Sequence, residues 1–79
     1  MNDRPMTNRP WLVLTMDDGE LCAWYTKRQC VEWVRERLGA DVPCHRTSPG
    51  FYEMQGDAPT VYSITTPGIA RLHGWDVEL

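Results

Sequence analysis

Apolar and polar positions follow a helical period over residues 26–39, which carry the clearest helix pattern in the chain. At about 100° per residue the apolar side chains fall on one stripe, with charged side chains opposite. The stripe consists of Cys30, Val31, Val34 and Leu38. Thr26 and Gln29 have the spacing of a capping box, and Gly39 stands where a left-handed glycine commonly ends a helix. The pattern therefore predicts one main helix over 26–39.

Trp33 lies on the flank of this stripe, one turn before Arg37. The simpler interpretation is a half-buried indole that is covered by the arginine stem through a cation–π contact. The alternative is an aromatic–arginine pair that contacts a partner, because both residue types are enriched at binding hot spots. Trp33 and Arg37 are therefore candidate partner-binding residues.

Two apolar segments, 11–16 and 21–25, flank an acidic turn and predict a β-hairpin. The Asp18-Gly19 pair is favoured in two-residue type I′ loops. Such a loop places Met16 opposite Leu21 and continues in that register to the end of the hairpin.

This register gives the hairpin two largely apolar faces. We assign one of them to the helix; it holds Leu12, Leu14, Met16, Leu21, Ala23 and Tyr25. The other holds Trp11, Val13, Thr15, Cys22 and Trp24. It is less polar than the solvated side of an antiparallel sheet, so either the C-terminal third or a second copy of the chain covers it, or it binds a partner. Trp11 and Trp24 are thus candidate contacts.

The tip of the hairpin carries three carboxylates, those of Asp17, Asp18 and Glu20. A solvated turn would have the same composition, but the cluster also offers negative charge to a partner. We include these three residues among the candidate partner-binding residues.

The C-terminal half contains signals for a second hairpin and a short helix. Residues 40–50 are predicted to be a loop, and strands are predicted at 51–55 and 60–65 around a turn. Thr66-Pro67 begins a short helix or 3₁₀ segment over 67–73, for which an extended strand is the alternative. Residues 75–79 alternate between apolar and acidic and predict a last strand at an edge.

These elements predict an α+β fold in the order β-β-α-β-β-(short α)-β, with a small antiparallel sheet and one main helix packed on one face. Residues 1–9 are polar and are expected to form a mobile tail, which leaves 10–79 as a single domain.

Charge and composition narrow the function classes. The formal net charge of −3 argues against a protein that tracks nucleic-acid phosphates. Apolar runs are too short for a membrane helix, and the N-terminal residues lack the apolar segment of a secretory signal. The three cysteines, an odd number, indicate a reduced cytoplasmic protein in which thiols pack.

Known catalytic and metal-binding patterns are not found in the sequence. Five residues have side chains that can ligate zinc, namely Cys22, Cys30, Cys44, His45 and His73, but there is no CxxC pair, so no metal is predicted. Glycine-rich phosphate loops and nucleophile motifs are also missing, and no cofactor is expected. We predict that the protein is not an enzyme.

The leading hypothesis is a small intracellular binding protein that docks on another protein as an inhibitor or adaptor. Compact acidic domains of this kind are often encoded by phages or mobile elements. The alternative is a module for a nucleotide or another small ligand at a homodimer seam, with phosphates held by Arg28, Arg35, Arg46 or Arg71. A third class is a structural subunit of a homo-oligomer.

Overall fold

The computed structural model describes residues 10–77, in which five antiparallel strands form one sheet with a helix on each side. The elements are β1 Trp11–Thr15, β2 Gly19–Trp24, α1 Lys27–Leu38, β3 His45–Ser48, β4 Phe51–Gln55, β5 Val61–Thr65 and α2 Pro67–Leu72. The strand order across the sheet is β2-β1-β5-β4-β3. The predicted α+β class, with its antiparallel sheet, main helix and short second helix, is confirmed.

The main helix begins and ends as its sequence predicts. The Gln29 backbone N–H donates to the Thr26 hydroxyl, and the Gln29 side chain accepts from the Thr26 N–H, at 3.2 and 3.1 Å. At the other end the Gly39 N–H donates to the Arg35 carbonyl at 2.8 Å. Gly39 has φ 133° and ψ 146°, a more extended conformation than the left-handed helical one predicted, but still one that favours glycine.

The turn of the first hairpin differs from the predicted type. Gly19 has φ +73°, but no other residue type in the described chain has a positive φ, so Asp18 does not adopt the conformation that a type I′ loop requires. The loop instead spans residues 16–18 and closes on a left-handed glycine. The Asp18 N–H donates to the Thr15 hydroxyl at 3.1 Å, which fixes the turn.

The register of this hairpin is therefore shifted by two residues from the prediction. Val13 lies opposite Cys22, and Trp11 opposite Trp24. A bulge follows, because Leu14 pairs with Glu20 and Leu21 is left as the extra residue. A shift of two preserves the face on which each residue of 11–13 lies, since side chains alternate with period two, and beyond the bulge the shift is three.

The assignment of the two hairpin faces to their covering elements is wrong. The α1 stripe packs on the face of Val13 and Cys22, for which the prediction was cover by the C-terminal third or by a second copy, or contact with a partner. Leu12 and Leu14, predicted to face the helix, instead contact Ala70, Trp75 and Val77. Both faces are covered within the chain, because α1 and the C-terminal segment take opposite sides of the sheet.

Two further details differ at the edges of the sheet. The second hairpin is confirmed at β4 and β5, but a third strand, β3, forms where a loop was predicted.

Residues 75–77 are not a strand; the Trp75 N–H donates to the Ala70 carbonyl at 3.0 Å, so the chain turns back over α2. The remaining residues of the predicted last strand, 78–79, and the predicted tail, 1–9, lie outside the described residues.

Thr26→Ala removes the side-chain half of the capping box, and we expect it to lower the free energy of unfolding by about 1 kcal/mol. Thr66→Ala is the matched control, because Thr66 caps α2 without a side-chain hydrogen bond. Urea unfolding of the two variants measures the difference. Equal losses would contradict the assigned role of the Thr26 hydroxyl.

Candidate functional site

The sequence-predicted contact residues lie in two separate places. Trp24, Trp33 and Arg37 come together on the α1 side of the sheet. The acidic tip, formed by Asp17, Asp18 and Glu20, lies at the far end of the hairpin from Trp24, on the order of 15 Å away at about 3.3 Å per residue. The predicted residues therefore do not form one continuous site.

Trp11 is half-buried and belongs to the interior of the molecule more than to its surface. Its ring lies 6.2 Å from that of Tyr52, tilted by 53°, and the Lys27 ammonium lies 4.2 Å from the centroid of the Tyr52 ring. These contacts account for the indole without a partner, and its role in binding stays a prediction.

A shallow depression of about 220 Å³ opens between the end of β2 and the exposed flank of α1. It is lined by Trp24, Gln29, Glu32, Trp33 and Glu36, and we name it the tryptophan depression. Trp24 is 38% exposed, although it is one of the largest apolar side chains of the protein. Tyr25, next in the chain, is also exposed but is not among the residues that line the depression.

Arg37 is held on the helix beside this depression. Its guanidinium carbon lies 3.4 Å from the centroid of the Trp33 ring, and Nη1 donates to the Trp33 carbonyl at 2.9 Å. The simpler interpretation of this pair, an intramolecular cation–π contact, is confirmed. Arg37 thus covers one part of Trp33 and fixes the indole in place.

Two carboxylates, of Glu32 and Glu36, stand one helical turn apart at the rim of the depression. The Arg28 Nε lies 3.3 Å from Glu32, and Arg37 Nη1 lies 4.0 Å from Glu36. Both pairs are solvent-exposed and are therefore worth about 1 kcal/mol or less. Neither glutamate was among the residues predicted from the sequence to contact a partner, because their place beside Trp24 depends on how β2 packs next to α1.

A second depression, of about 430 Å³, lies on the other side of the sheet. Its lining consists of Met16, Thr47, Phe51, Glu53, Val61, Ser63, His73 and Trp75. It is open because α2 has only six residues and covers only part of that face. The His73 ring lies 4.5 Å from the Phe51 ring, with Nε2 3.4 Å from the Ser48 hydroxyl.

The arginines considered for phosphate binding are distributed over both sides of the sheet. Arg28 and Arg35 belong to α1, and the Arg35 Nε donates to the Val42 carbonyl at 2.9 Å. Arg71 belongs to α2 on the opposite side, where its Nε donates to the Val77 carbonyl. Within one copy of the chain these cations do not converge on a common cavity.

All three cysteines are free thiols that pack in or against the α1-side core. Burial raises the pKa of Cys22 and Cys44, and it raises the pKa of Cys30 to about 12. Raised pKa values disfavour the thiolate, which is the reactive form and the metal-binding form. Within residues 10–77, no three His, Cys, Asp or Glu side chains converge to hold a metal ion.

Comparison of the chain with protein-family models, curated proteins and solved structures finds no match. Between Pro10 and Val77, no helix is long and apolar enough to cross a membrane. The surfaces described above therefore carry the functional inference.

We expect Cys30 to resist alkylation by iodoacetamide in the folded protein at mildly alkaline pH, because it is fully buried and its pKa of about 12 keeps it protonated. Cys22 and Cys44 should react slowly, and all three should react quickly in urea. Peptide mapping by mass spectrometry after a short pulse measures the three rates. Modification of Cys30 as fast as that of Cys44 in the folded protein would contradict this.

Proposed function

We propose that the chain is a small non-enzymatic cytoplasmic protein that docks on another protein, as an inhibitor or adaptor, through the tryptophan depression. The observation that carries the proposal is the exposure of Trp24 beside a second, immobilised indole in an open depression. Tryptophan is among the residues that contribute most to binding energy when a partner covers them.

The shape of the depression supports a macromolecular partner. Its volume of about 220 Å³ lies below the range of about 300–1,000 Å³ that is usual for small-molecule pockets. An open aromatic surface can be covered by a second protein, which excludes water from the rim while the indoles fill the centre of the contact.

The rigidity of the surface also supports docking. Trp33 is held by Arg37, α1 is fixed by its capping box, and Trp24 ends a strand that pairs with β1 on both sides of its bulge. A surface that is already ordered loses little side-chain entropy on binding. The raised pKa values of the three thiols disfavour the thiolate and therefore nucleophilic chemistry by cysteine.

Photo-cross-linking tests the proposal in extract of the source cells. p-Benzoylphenylalanine replaces Tyr25, a conservative aromatic exchange next to Trp24. The control places the same group at Leu72, which is 82% exposed on the other side of the sheet. We expect one discrete protein adduct from position 25 and none from position 72.

Trp24→Ala in the position-25 background should reduce that adduct strongly, because it removes the exposed indole. Met16→Ala, which removes an exposed apolar side chain of the second depression, should leave it unchanged. Circular dichroism and thermal unfolding verify that both variants fold. An adduct that forms equally at positions 25 and 72, or one that is insensitive to Trp24→Ala, would overturn the proposed surface.

A further inference from the structure

The tryptophan depression combines two indoles, two carboxylates and one amide in its lining, and no cationic side chain is among the residues that line it. We infer that it receives a positively charged side chain, an arginine or lysine, from an extended basic segment of the partner. The inference rests on the proposed function and gives the chemistry of the partner at that surface.

The chemistry of the lining matches a cation in two ways. The face of an indole attracts an ammonium or guanidinium group, and a carboxylate accepts charge-assisted hydrogen bonds from it. The protein already uses the first of these contacts twice, with Lys27 over Tyr52 and Arg37 over Trp33. Trp24 offers a further exposed indole beside two carboxylates.

The two carboxylates lack a strong internal partner among the described residues. Glu32 and Glu36 are like charges at i and i+4, a spacing that slightly destabilises an isolated helix. Arg28, which pairs with Glu32, has a side chain that is 86% exposed, so the pair can be exchanged for an incoming cation at little cost. Binding a cation between the glutamates would therefore relieve their repulsion.

An extended segment fits better than an isolated cation because the same two glutamates also line a neighbouring depression. That depression has a volume of about 380 Å³ and is lined by Glu32, Arg35, Glu36 and Ala40. The glutamates thus form a ridge between two hollows, and a chain that crosses the ridge could place side chains on both sides of it.

A peptide titration tests the inference. The probe is an acetylated, amidated peptide of alternating glycine and arginine, and its matched control carries citrulline, the neutral analogue of arginine. Two-dimensional NMR at low ionic strength follows the indole N–H signals. We expect the arginine peptide to shift the signals of Trp24 and Trp33 but not that of Trp75, and to bind at least about tenfold more tightly than the citrulline peptide.

Two sets of variants locate the charge. Glu32→Gln with Glu36→Gln should weaken binding of the arginine peptide by at least about tenfold, while Glu53→Gln, in the second depression, should leave it unchanged. Equal binding of the arginine and citrulline peptides, or unchanged binding by the double variant, would overturn the inference. If the arginine peptide fails while the position-25 adduct forms, the cationic inference falls and the docking proposal stands; absence of the adduct counts against docking itself.

Discussion

The burial of β1 on both of its faces is the constraint on which the rest of the structure depends. Leu12, Val13 and Leu14 have no exposed surface, although successive side chains of a strand point to opposite sides of the sheet. A single helix can cover only one side, so the fold needs a second cover. The short α2 and the residues after it supply that cover, and α1 is left free to present its outer flank to solvent.

The elements with strong local signals could be predicted from the sequence. The cap at Thr26, the apolar stripe of α1 and the β-branched run of β5 each depend on near neighbours, and each was predicted correctly. β3 was missed because its four residues are polar. It lies at an edge of the sheet and is largely exposed, so its sequence lacks the alternation of apolar and polar residues that predicts a strand. Which face of the first hairpin met α1 could not be predicted, because both faces are apolar and the period-two pattern is the same for either arrangement.

The candidate site could be predicted only in part, for a similar reason. Trp33 and Arg37 were identified from residue type and helical position and Trp24 from its face of the hairpin, and the structure brings them together. The glutamates at the rim were missed because their importance depends on the end of β2 lying beside α1, a contact between elements that neither periodicity nor composition encodes. The acidic hairpin tip was included among the candidate contacts because of its negative charge. It lies at the opposite end of β2 from Trp24, so it does not belong to the same surface.

The join between the two halves of the sheet has a kinetic consequence. β1–β2 and β4–β5 each close locally, but they meet through three paired positions of β1 and β5, with Val13 opposite Ile64, about 50 residues later in the chain. Pairing β1 with β5 requires a long loop to close first. The chain entropy lost in closing the loop is offset only afterwards, by the contacts between the two strands. We therefore expect the two hairpins and α1 to form early and the docking of β5 along β1 to limit how fast the native sheet is completed.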